Sequence, residues 1–209
     1  MEVRGVKFVF IGATLLVIVA ALIYLGLGQR ALDRLRLSDR AALIFLAVML
    51  VGGLVSDIPL SANWSINIGG GIVPLVLAGY LWSRAEPHEI TRSVIAVLVT
   101  GGVIYGLMKI LPTEPTYYAF MDPLYIGALA AGVIGYLAGR SRRGAFLAGT
   151  LGIILTDIAA QVENALSGVA GGVSIGGAGV FDAVLISGFL ALGLAEVVGE
   201  TREHFARNR

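Results

Sequence analysis

Two aspartates stand at equal depth in segments that read as membrane-crossing helices. Thirteen uncharged residues (144–156) separate Arg143 from Asp157, and thirteen more (183–195) separate Asp182 from Glu196. At a helical rise of 1.5 Å per residue, each carboxyl lies about 20 Å from its charged boundary, within a hydrocarbon slab roughly 30 Å thick. A charged Asp at mid-bilayer costs roughly 2.5–3.5 kcal/mol on insertion scales, so such residues face a bundle interior and mark a site or pathway. Two like acids at one level suit a shared proton, a bound cation, or an aspartyl pair activating water; in the last case Asp157 and Asp182 are the catalytic residues. The alternative is that each caps a broken helix, because Ser174-Ile175-Gly176-Gly177-Ala178-Gly179 reads as irregular backbone in need of local acceptors. Asp57 follows sixteen uncharged residues (41–56), which sets it nearer the opposite surface. Asp57 and Asp122 lie close to prolines and read first as caps. The candidate substrate- or ion-binding set is Asp57, Asp157, Asp182, Asn67, Gly176, Gly177 and Gly179. Glu163, Asn164, Asn63 and Asn67 read as interfacial by position.

The elements that must hold these residues follow from hydropathy. With 57% hydrophobic and 14% charged residues among 209, and a mean hydropathy of +0.87, the chain carries too much apolar surface for one soluble core. Seven stretches fit a crossing helix: 8–28, 41–60, 66–82, 93–111, 123–139, 144–165 and 174–195. The first is followed by more basic residues than precede it and by no small-residue cleavage pattern, so it reads as a retained helix rather than a signal peptide. Twelve of the fifteen Lys and Arg fall in the first, third and fifth connections and the tail. That bias predicts an amino terminus outside, a carboxyl terminus in the cytoplasm and a multi-pass location in the cell membrane. Trp64, Tyr117 and Tyr118 at the outer edge, and Tyr80 and Trp82 at the inner one, suit the headgroup level. Glycine pairs at four-residue spacing, Gly102/Gly106 and Gly135/Gly139, predict close helix packing.

Composition also excludes chemistries. Zero cysteines rule out disulfides, iron–sulfur clusters and thiol catalysis. His88 and His204 lie in polar segments, which leaves a histidine-built metal site without support. No nucleotide loop, zinc motif or haem ligand pair occurs, so no cofactor is expected. A net charge of +1 without a basic field on a soluble domain gives nucleic acid no purchase.

The chain also resembles itself. Ser56-Asp57-Ile58, Asn63 and Asn67-Ile68-Gly69-Gly70-Gly71 are matched by Thr156-Asp157-Ile158, Asn164 and Ser174-Ile175-Gly176-Gly177-Ala178-Gly179. The expected fold is therefore an all-α membrane protein in one polytopic domain (1–209). It would have about seven transmembrane helices in a parallel 3+1+3 repeat, 8–82 and 123–195, joined by the linker helix 93–111. Parallel repeats are a transporter device, with the site at the repeat interface near the midplane.

Residues 67–75, and above all 174–182 with the Asp157 region before them, resemble domain-of-unknown-function family 1614, polytopic membrane proteins of bacteria and archaea. The resemblance runs over roughly 41–195 and implies a site at the two acids without naming a substrate. A looser likeness is to intramembrane aspartyl proteases of the presenilin type, which use one Asp on each of two consecutive helices. Their Gly-x-Gly-Asp motif is interrupted here, because Val180-Phe181 stands between Gly179 and Asp182. The layout is also similar to that of the SWEET sugar carriers, without their signatures. The reading that follows is a small-molecule or cation/proton-coupled transporter with a buried Asp pair. The alternatives are an intramembrane aspartyl protease and a non-catalytic membrane assembly protein. The expected partners are membrane lipid, a small molecule, cation or membrane peptide, and a homo-oligomeric copy.

Overall fold

A computed structural model describes residues 39–110, 123–139, 141–168, 172–177, 184, 186–195 and 198. The first expected crossing segment, Asp122, Gly179 and Asp182 lie outside the described residues. Helix α1 (Asp39–Gly53) opens the described chain. Its apolar run continues to Leu60, yet the helix stops at the Gly52-Gly53 pair, and Pro59 withdraws a backbone donor just beyond. The chain turns instead into a hairpin, β1 (Ile58–Ser61) and β2 (Trp64–Ile66), with a bulge between Pro59 and Ser61. The bulge and an edge position are what allow proline in a strand.

After β2 comes one π-helical turn, Ile68–Ile72, which runs into α2 (Val73–Ser83). The long α3 (Pro87–Ile110), α4 (Pro123–Gly139) and α5 (Arg142–Leu166) follow. Strand β3 (Val173–Ile175) and the short apolar α6 (Ile186–Ala195) complete the described elements. Strand β3 joins β2 in parallel, Trp64 opposite Val173, Ser65 opposite Ser174 and Ile66 opposite Ile175, so the sheet order is β1-β2-β3.

The fold is mostly helical, in keeping with the all-α expectation, with a small sheet added. The stretches 41–60 and 174–195 are not continuous helices, since each joins a short helix to a strand; in 66–82 only Ile66 is strand, and the helix runs from Ile68 to Ser83 through the π turn. Helices do stand where hydropathy places them at 93–111, 123–139 and 144–165. Two of the described helices, α3 and α5, are long and apolar enough by length and composition to cross a membrane.

These two run parallel and are tied at both ends. Arg143 Nη1 lies 3.3 Å from Glu89 Oε2 at their start. At their far end Lys109 and the Tyr105 hydroxyl both donate to Glu163. Twenty residues separate the tied positions on each helix, about 30 Å of rise, which is the thickness of bilayer hydrocarbon. Helix α5 is the axis of the bundle: 67% of its most apolar stretch is buried, against 28% for α3. On α3 the large apolar residues Ile95, Leu98, Val99 and Val103 face outward, as Ile44, Val48 and Val51 do on α1.

Small residues bring the neighbours onto the α5 axis. A Cβ added at Gly149 would lie 2.7 Å from the Ser187 carbonyl oxygen of α6, and one at Gly135 of α4 would lie 2.7 Å from the Gly149 nitrogen. The Gly135/Gly139 pair therefore packs as its spacing suggests. Gly102 and Gly106 instead face open space, and it is Gly101 that meets Leu155 and Gly152. Gly149→Val should cost about 1–3 kcal/mol by overpacking. Gly102→Ala should be neutral or stabilising by up to ~1 kcal/mol through helix propensity. Thermal unfolding in detergent measures both, and equal losses would show that α5 is not the packed axis.

Candidate functional site

The π turn begins at Asn67, and that residue holds the site together. Its Oδ1 accepts from the Gly70 backbone N–H at 3.0 Å, capping the turn, while its Nδ2 donates to Asp57 Oδ1 at 2.8 Å. Its own backbone N–H donates to the Ile175 carbonyl at 3.0 Å, and its carbonyl accepts from Gly71 and Ile72. Asn67 is 2% exposed, and both its amide oxygen and its amide nitrogen are bonded in that buried position. A short amide side chain suits the role because it donates and accepts from one branch point.

Strand β3 supplies the other half. Ser174 Oγ donates to Asp57 Oδ2, so one oxygen of this carboxylate is held from the cap of the π turn and the other from β3. Gly177 N–H donates to the Ser174 carbonyl at 3.1 Å, closing a four-residue turn whose third residue, Gly176, has φ +64°. Only glycine adopts that conformation readily, and here it is required twice over, since a Cβ at Gly176 would overlap the Gly70 backbone. A Cβ at Gly177 would press on Ser174 and approach Asp57 Oδ2 to 3.1 Å. The Gly176 N–H points to Asp157 Oδ2 at 3.4 Å. Two carboxylates a hundred residues apart thus flank one turn, Asp57 from the loop before β1 through Ser174 and Asp157 of α5 through Gly176.

The geometry reassigns some of the sequence-based roles. Asp57, read first as a cap, bonds to a side chain ten residues on and to one 117 residues on. Asn67, Gly176, Gly177, Asp57 and Asp157 gather round one turn. Asp182 and Gly179 lie outside the described residues, as does the spacing between Asp157 and Asp182. Glu163 serves the α3–α5 tie, and the Asn63 carbonyl accepts from Val173 N–H at 3.2 Å at the start of the parallel pairing.

Gln161 escaped the sequence reading. It is 1% exposed, and its Oε1 has no hydrogen-bond partner among the described residues. It follows Asp157 by four residues on α5, so both side chains rise from one helix face. That spacing, in an otherwise apolar helix, was the available signal. A buried acceptor without a partner is uncommon enough to require an explanation.

The family model described as "Protein of unknown function (DUF1614)" matches residues 32–194, a stretch that contains every residue of the cluster. Neither the curated proteins nor the solved structures contain a match. Within the cluster, Asn67→Ala would strand the Gly70 N–H and one oxygen of Asp57, each worth about 1–3 kcal/mol when buried and unpaired. The expected result is a melting temperature well below that of Asn63→Ala, which changes an exposed turn residue. Melts of the two variants in detergent make the comparison, and similar values would remove Asn67 from its central place.

Proposed function

The chain belongs to the DUF1614 family, and we propose that it is a multi-pass membrane carrier coupled to a cation or proton, with its site at the turn between Asp57 and Asp157. One observation carries the reading: two carboxylates, Asp57 before β1 and Asp157 on α5, converge on a glycine turn, and the unpartnered oxygen of Gln161 stands one helical turn from the second of them. Carboxylate, amide and backbone oxygens are the donor set that small hard cations take, and a carboxylate is the usual proton carrier within a bundle. Interrupted helices are the usual walls of such sites, because unwound backbone offers its polar groups to the cargo. The ties at each end of α3 and α5, about 30 Å apart, support a membrane-spanning frame around it.

In this reading the seven-segment topology stands, with the amino terminus outside and the arginine-bearing connections in the cytoplasm. Segments 41–60 and 174–195 then cross as short helices completed by strand and turn, and 66–82 as a helix that opens on the π turn. Asp182 would join the site from the segment that follows the turn.

Proteoliposomes holding the full chain, loaded with a pH-sensitive dye and given an inward potassium diffusion potential, test the proposal with and without sodium. Wild-type protein should pass protons or sodium. Asp157→Asn should reduce the flux to that of empty liposomes, because the amide keeps the bond to Gly176 through its oxygen but neither carries a proton nor balances a cation. The melt of Asp157→Asn should stay close to wild type. Absence of both proton and sodium flux in the wild type, or full flux in Asp157→Asn, would overturn the carrier reading and leave a structural role in membrane assembly.

A further inference from the structure

A groove of about 510 Å³ runs between α3 and α4, away from the aspartate turn, lined by Arg92, Ile95, Ala96, Val99, Leu137 and Ala138. Its volume falls within the range of sites that hold small organic ligands. Arg92, Ile95 or Ala96, and Val99 follow one another at helical spacing, so they form a single stripe along α3. Ala96 is 1% exposed and forms the floor, while Ile95 and Leu137 are more than half exposed and form the rims. The slot thus begins at one cation and continues as hydrocarbon.

Arg92 has an unused charge. Glu89, one turn earlier, is taken by Arg143, and among the described residues Arg92 itself makes no hydrogen bond or ion pair. By the basic bias of the connections, this end of α3 is the cytoplasmic one. A planar guanidinium there presents paired N–H donors at the depth of the lipid phosphates, and the apolar stripe descends toward the middle of the bilayer.

We propose that this groove holds an anionic phospholipid, its phosphate on the Arg92 guanidinium and one acyl chain laid along Ile95, Val99 and Leu137. The proposal shares the membrane orientation of the carrier reading but needs neither its aspartates nor its transport. A soluble anion cannot use the apolar floor, and a neutral hydrocarbon cannot use Arg92; an anionic lipid uses both. Basic pockets between crossing helices on the cytoplasmic side have this recognition chemistry.

Full-length protein reconstituted in nanodiscs of equal phosphatidylglycerol and phosphatidylcholine, then released for native mass spectrometry, reads which lipid stays bound. Wild type should retain phosphatidylglycerol about fivefold over phosphatidylcholine, the ratio that corresponds to ~1 kcal/mol for one arginine near an anionic surface. Arg92→Gln should bring the ratio close to one. Ala138→Phe, which fills the groove, should lower retention of both lipids. Leu137→Gln, at an exposed position, should do the same and covers the case in which Ala138→Phe fails to fold. Equal retention of the two lipids by wild type would overturn the proposal, as would a preference unchanged in Arg92→Gln. So would a groove-filling variant that changes the oligomeric state without changing lipid retention, since a second copy would then be what covers the groove. Loss of ion flux with the lipid preference intact would fail the carrier reading alone.

Discussion

A chain that interrupts its apolar helices must find partners for the backbone groups it releases wherever they are shielded from water. The interruptions after α1 and after α5 meet this requirement in each other. Strands β2 and β3 pair in parallel, Asn67 N–H reaches the Ile175 carbonyl, and Asn67 Oδ1 caps the π turn that starts α2. Two segments that each lack enough partners become one small sheet that has them. The side chains that finish the pairing, Asp57, Asn67 and Ser174, are the same ones that make the place polar. Structure and candidate chemistry therefore share atoms, and a change at Asn67 disturbs both.

The sheet is held by a simpler frame. Helix α5 threads the bundle with glycine, alanine and threonine along its first half, which lets α3, α4 and α6 approach its backbone closely. In lipid, where burying apolar surface between helices gains little, such approach is what dispersion needs to hold helices together. The ion pairs at the two ends of α3 and α5 fix their relative height, because sliding one helix by a turn would break both pairs together. Large apolar residues stand on both sides of the bundle: Leu81, Ile104, Phe146 and Ile154 fill its core, while Ile95, Leu98 and Val103 of α3 face outward.

The helices at 93–110, 123–139 and 144–165 were legible because length and hydropathy suffice to specify an uninterrupted apolar helix. The strands within 41–60 and 174–195 were not, because hydropathy averages over Gly52-Gly53, Pro59 and Gly176, and the pairing that rescues those breaks joins residues more than a hundred positions apart. The two similar motifs were visible, but that their strands pair with each other, Ser65 opposite Ser174, was not. The aspartates drew attention by depth alone, which is why Asp157 stood out and Asp57 looked like a cap. The partnership of Asp57 with Ser174 is a tertiary fact that spacing cannot encode. Gln161 was overlooked because an uncharged polar residue barely alters a hydropathy window, although its four-residue offset from Asp157 was there to be used.

The pairing of β2 with β3 can be tested in the membrane by cysteine pairing, with no background from a chain that lacks cysteine. Trp64 and Val173 are register partners in neighbouring strands, a separation that a disulfide spans. Ile66 and Val173 are two residues out of register, which puts them beyond its reach. The Trp64→Cys/Val173→Cys protein should form an intramolecular disulfide rapidly under mild oxidation in native membranes, and the Ile66→Cys/Val173→Cys protein should not. Failure of the first pair to close, or closure of both at the same rate, would contradict the β2–β3 pairing on which the aspartate site depends.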